Sequence, residues 1–319
     1  MKNKLKYTVV LAIVLTLALL ALTGCVKTNT KYNINGIDSI VISDAVDEVL
    51  ESCVVVETIY RSNKYGSSNT LYYCIGIAVS ENKILVPRQA IPKKTALNMT
   101  SSTNYLAYVA GQDKTIALEY LSGDNSYLSE YGFSILSVYN SQENGIKLKP
   151  IKFGNSNVTI ANGNDNENNL NIGQVLFGVE LLLPDRIHIE SKADDFYKVI
   201  SANVAANGMH IGVGSAAHHP ENISDIMKDN TFTTQGYFSK SDPYDSGDYP
   251  HDYDLLSNDK LYALTDTMLF NSKGEFVGLN YLRRTDSTSS NEHVVAGIGY
   301  ALKSNIIKSI LQKQNIEVA

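Results

Sequence analysis

Few of the 319 residues fall in patterns that could make or break bonds. Ser215 precedes His218 and His219 in "GVGSAAHH", a spacing in which an imidazole could take a hydroxyl proton if the fold brought the two together. Nearness in sequence is not nearness in space, and Ser215 reads equally as a turn residue, as does Ser156 after Gly154-Asn155. His218, His219, His251, Asp252 and Asp254 are residue types that suit Zn²⁺, but no CxxC or HExxH spacing accompanies them. Asp242, Asp245 and Asp248, interleaved with Tyr244, Tyr249 and Tyr253, lack the ligand order of an EF-hand and read as a solvated acidic loop. Neither a metal nor a cofactor is therefore expected. Of the three cysteines, Cys25 ends an apolar leader, while Cys53 and Cys74 lie in β-branched runs further on.

The leader has a clear form. Lys2, Lys4 and Lys6 precede an apolar run from Val9 to Leu22, too short to span the ~30 Å of a bilayer's hydrocarbon as an ordinary helix. It ends in Leu22-Thr23-Gly24-Cys25, which resembles a bacterial lipobox, whose Cys is diacylated and becomes the first residue. Two or more acyl chains hold a protein at a bilayer where one does not. The expectation is a signal peptide over residues 1–24, lipidation at Cys25, and a tether over 25–42, giving an exported protein anchored to the outside of a bacterial membrane.

These features have to be positioned by a fold. The chain carries 27 Lys plus Arg against 33 Asp plus Glu, and 44% of it is hydrophobic, a globular and acidic balance. No basic run exists beyond the leader, which argues against a nucleic-acid surface. Ser43 is placed to cap a short helix through Asp44, Asp47 and Glu48. Strand patterns follow at Cys53–Tyr60, Leu71–Val79, Lys83–Pro87, Tyr105–Ala110, Thr115–Leu121, Phe133–Val138, Gly173–Leu183, Phe196–Val204, Leu261–Phe270 and Glu275–Tyr281. With no helical crossovers between them, these predict an antiparallel all-β architecture. The first two form a hairpin that sets Cys53 and Cys74 roughly opposite one another, so that a cross-strand disulfide and two buried unbridged thiols are both open. Ser304 can cap a final helix over 305–313, with Ile306, Ile307, Ile310 and Leu311 on one face. The Asn-rich stretch 154–171 and the stretch 212–259 read as long loops inserted between strands.

The blocks in order resemble the HtrA-like branch of the trypsin-fold serine proteases, over roughly residues 44–313. They are "AVDEVLESCVVV" (Ala45–Val56), "CIGIAVSENKILVPRQAI" (Cys74–Ile91), "NIGQVLFGV" (Asn171–Val179), "LFNSKGEFVGLN" (Leu269–Asn280) and "GIGYALKSNIIKSIL" (Gly297–Leu311). The last is similar to that family's "GIGFAIPxxxVxxIxxxL" ending. The resemblance implies a trypsin-like double six-stranded β-barrel with a C-terminal helix. The first barrel would span 43–150, and the second 151–319 with an insertion at 212–259. The chain stops just after the helix, and no PDZ domain is expected.

The same resemblance implies that the catalytic machinery is missing. A trypsin-type site needs a His base, an Asp that orients it, and a Ser nucleophile beside an oxyanion hole. The matching positions hold Gln89 in "VPRQAI", Gly132 in "GFSILSV" and Thr265 in "ALTDTML". A neutral amide cannot exchange a proton near pH 7, and glycine has no carboxylate. No His occurs between Cys53 and Asn140, so no shift of register restores the base. The expected function is that of a surface-tethered pseudoprotease binding an extended peptide or a protein partner. The alternatives are a hydrolase with a rearranged site at Ser215, His218 or His219, and a ligand-binding lipoprotein.

Overall fold

Runs such as Cys53–Val56 and Ile75–Val79 are short, apolar and rich in β-branched side chains, which suits a pleated strand better than a helix. A computed structural model of the chain describes residues 33–34, 37–62, 68–87, 90–91, 101–109, 115–121, 123, 131–141, 145–159, 169–181, 197–208, 230–236, 263–286 and 293–318. Cys25, Gln89, Ser215, His218, His219 and the acidic stretch 242–259 lie outside the described residues. Near the N-terminus, β1 (Asn33–Ile34) and β2 (Ile37–Asp38) pair antiparallel, and α1 (Ser39–Leu50) follows. Residues 42–319 form one unit that holds everything below.

Its first six strands are β3 (Cys53–Ser62), β4 (Ser68–Ser80), β5 (Lys83–Pro87), β6 (Ser101–Val109), β7 (Thr115–Tyr120) and β8 (Phe133–Val138). They close into a barrel in the order β3-β4-β5-β8-β7-β6. A short parallel pair, β9 (Val158–Thr159) with β10 (Leu170–Asn171), lies between the barrels in sequence. The second six are β11 (Val175–Leu181), β12 (Tyr197–Asn207), β13 (Thr231–Gly236), β14 (Ala263–Phe270), β15 (Phe276–Asp286) and β16 (His293–Lys303). Their order, β11-β12-β13-β16-β15-β14, repeats the first barrel's: first, second, third, sixth, fifth, fourth. Helix α2 (Ser304–Lys313) ends the fold. The chain is thus all-β, a double six-stranded barrel with a C-terminal helix, as the sequence predicts. Among the described residues, no helix is long and apolar enough to cross a membrane.

Strand alternation sorts the apolar side chains into three clusters. Val54, Val56, Cys74, Ala78, Ile84 and Val86 fill the first barrel, and Leu176, Ala202, Val204, Phe232, Leu269 and Ala301 fill the second. The intervening residues of both barrels meet in a shared seam. Val55, Ile75, Ile77, Leu85, Phe133 and Ile135 pack there with Phe177, Val179, Met268, Phe270, Phe276 and Leu279. Ala45 and Val49 of α1 and Ile307, Ile310 and Leu311 of α2 complete it.

Several expectations need correction. The hairpin is present, but Cys53 pairs with Ile77 and Cys74 with Val56, three positions out of step. Opposite parity then sends Cys53 to the seam and Cys74 to the barrel interior, so the two buried thiols are not bridged. The first helix begins at Ser39, not after Ser43, because no Gly or Pro interrupts 39–50. Glu48 meets Lys152 at 3.1 Å, and Glu51, just past the helix, meets Lys149. Ser304 does not cap α2. Its hydroxyl donates to Gly154 O (2.7 Å), and the cap comes from Ser156, which accepts from Asn305 N (3.2 Å) and donates to Asn305 Oδ1 (2.6 Å). Ser156 is wholly buried and serves as structure. The stretch 212–259 is not simply an insertion, since β13 lies within it as a barrel strand.

Candidate functional site

The three positions matched to a catalytic triad are only partly visible. Thr265 lies in β14, where the pairing with β15 shifts register between Ala263 and Thr267. Gly132 directly precedes β8, and the Phe133–Pro87 pairing sets it beside the end of β5, two residues before Gln89. Its φ is +77°, a left-handed conformation that side-chain-bearing residues other than Asn and Asp seldom adopt, and those two at a cost. Strand β14 packs against β4 and β5 across the seam. Among the described residues the one histidine is His293, on β16 opposite Asp286, and no cluster of His, Cys, Asp or Glu is arranged to hold a metal.

Just beyond Thr265, a set of buried polar side chains lines part of the second barrel's interior. Glu180 on β11 pairs directly with Lys198 on β12, and the β11–β14 register brings Thr267 to its other side. Thr267 pairs in turn with Asn280 on β15, and Thr234 on β13 lies on the far side of Gly299 of β16. Glu180 is 3% exposed, and Thr267, Asn280 and Thr234 are 0% exposed. Thr267 Oγ1 donates to Glu180 Oε1 at 2.9 Å, and Lys198 Nζ stands 3.7 Å from Glu180 Oε2. Thr234 Oγ1 donates to Asn280 Oδ1 at 3.3 Å, while Asn280 Nδ2 has no partner among the described residues. Glycine at 299 is a packing requirement, because a β-carbon there would sit 2.5 Å from Asn280 Oδ1. A hydroxyl at zero exposure is out of a substrate's reach. The Thr267–Glu180 pair therefore ties β14 to β11 and fixes the strand that carries Thr265, and it is not a nucleophile with its base.

A second buried carboxylate sits on the seam side of the first barrel. Glu57 shares the parity of Cys53 and Val55 on β3 and is 6% exposed. Tyr73 OH, from β4, donates to Oε1 at 3.0 Å, and Tyr108 OH, from β6, donates to Oε2. Burial first, and then the hydrogen bond and charge of Glu57, push the Tyr108 phenol well above its ordinary 10.0. Burial also raises Tyr105, inside the barrel, and the Cys53 thiol above its ordinary 9.0.

These shifts set an alkaline limit. The three groups stay protonated in the folded chain at pH values where the unfolded chain has released their protons. The unfolded state then binds fewer protons, so stability falls as pH rises above the ordinary values. Thermal melts between pH 7 and 11 are expected to decline steeply above about pH 9. Tyr108→Phe is expected to flatten the part of that decline above pH 10. An unchanged slope in Tyr108→Phe would show that the phenol does not contribute.

Neither buried carboxylate was expected from the sequence, though each leaves a trace in it. Glu57 in "CVVVETIY" and Glu180 in "VLFGVEL" interrupt otherwise apolar strands, and a lone acid in such a run has to find donors inside the protein. Comparison with protein-family models gives no match for the chain, and comparison with curated protein sequences gives none.

Proposed function

We propose that the chain is a pseudoprotease, a trypsin-like double barrel of HtrA-like kind that binds an extended peptide or partner protein without hydrolysing it. It is exported and held to the outside of a bacterial membrane through acylated Cys25. The observation that carries the reading is Gly132. It occupies the position matched to the orienting Asp and, having no side chain, supplies no carboxylate there. Gln89 and Thr265 agree with it, since an amide supplies no base and a hydroxyl without a base is a weak nucleophile. General-base catalysis alone contributes about 10²–10⁴-fold, and loss of the whole triad costs more. The repeated strand order of two barrels meeting at one seam supports the trypsin-like part.

The test is a fluorophosphonate probe together with a broad library of extended peptides. The expected result is no labelling and no cleavage, with retention of a subset of peptides on the immobilised protein. Cleavage that disappears in Thr265→Ala, or labelling of Ser215, would overturn the proposal. Cys25→Ser is expected to release the chain from the detergent-soluble membrane fraction, and its retention there would remove the lipid anchor.

A further inference from the structure

Glu57 offers more than a tie between strands. It is nearly enclosed, yet the two phenols that donate to it pack at the edge of the seam and keep part of their surface in solvent. A phenol that donates to a carboxylate gains electron density in its ring, which deepens the negative face that attracts a cation. Here two such rings converge on one buried acid from β4 and β6, the strands on either side of β3. The cluster is held on paired strands, not on a loop, so its geometry is set before anything binds. The chain's net charge of −6 acts in the same direction, drawing positive partners at long range.

We propose that Glu57, Tyr73 and Tyr108 form the subsite for a cationic side chain, Lys or Arg, of the bound peptide. The inference rests on the peptide-binding reading and adds to it the chemistry of the partner. The cation lies against the phenol rings while the carboxylate behind them supplies the compensating charge. Both phenols keep their hydroxyls on Glu57 throughout.

Isothermal titration of the intact chain with capped Ala-Val-Lys-Val-Ala, its Arg analogue and its norleucine analogue tests the subsite. Tetramethylammonium chloride serves as a probe that needs no peptide groove. The Lys and Arg peptides are expected to bind about tenfold tighter than the norleucine peptide, the effect of a partly desolvated cation over aromatic faces. Glu57→Gln, which retains acceptors for the phenols, is expected to abolish the difference. Equal binding of Lys and norleucine peptides, or a preference that survives Glu57→Gln, overturns the subsite and leaves the peptide-binding reading standing. If no peptide binds but tetramethylammonium shifts the Tyr73 and Tyr108 ring resonances, the groove fails and the cation subsite stands. If neither binds, both fail. Should Glu57→Gln not fold, as judged by near-UV circular dichroism, Tyr73→Leu with Tyr108→Leu replaces it, removing both aromatic faces, with the same loss of preference expected.

Discussion

Phe276→Ala is expected to lower the unfolding free energy by about 3–5 kcal/mol, the range for an aromatic removed from a packed core. The side chain has no exposure, and its ring centroid lies 5.4 Å from Phe153 and 5.9 Å from Phe270. It is also where the chain between the barrels is fastened. Phe276 N donates to Lys152 O at 2.8 Å, and Gly154 N donates to Phe276 O at 2.9 Å. Paired strands hold the backbone there, so the seam has little freedom to collapse into the space left by the ring. Urea denaturation followed by circular dichroism measures the loss. A control at Leu121, which is 38% exposed, is expected to change stability by less than about 0.5 kcal/mol. A Phe276→Ala loss below about 1 kcal/mol would mean that the two barrels do not share a rigid core.

Thr267→Val comes next, at about 1.5–3 kcal/mol, the worth of a hydrogen bond to a charged group. Valine keeps the volume and the β-branching, so the change isolates the hydroxyl that donates to Glu180. Lys198 cannot replace it, because its ammonium stands 3.7 Å away on a side chain that is 42% exposed. Thr267→Ser keeps the donor and is expected to cost clearly less. A double-mutant cycle with Glu180→Gln assigns the coupling to the pair. A coupling near zero would show that the Thr267 hydroxyl does not stabilise the carboxylate.

The strands rich in branched and aromatic apolar residues were legible in the sequence. Lys83–Pro87 and Phe133–Val138 appear with the same bounds, and the remaining expected strands differ at their ends by a few residues. Two barrel strands escaped for physical reasons. Thr231–Gly236 is short and rich in threonine, with Phe232 as its one large apolar residue, so it presents no apolar run. His293–Lys303 carries two glycines, which weaken a strand pattern. The cysteine hairpin was legible as a hairpin but not in register, because a one-residue difference in pairing reverses which face a side chain takes. The capping of α2 was hidden for another reason: Ser156 and Asn305 are 149 positions apart, and nothing local marks their meeting. Buried acids are harder still. An isolated Glu in an apolar strand signals that partners are needed, but Tyr73, Tyr108, Thr267 and Lys198 become partners only through strand pairing and barrel closure.

The seam draws on both ends of the folded unit, and this bears on how the protein is made. The interior of the first barrel is complete once about 150 residues have left the ribosome, since Leu148 is the last of its members in the chain. Its outer face, with Val55, Ile75, Ile77 and Phe133, has no cover until the second barrel and Ile307, Ile310 and Leu311 follow. A nascent chain stalled between those points would present a sticky apolar wall. Such a species is a substrate for holding chaperones, and shortening the final helix would prolong its lifetime.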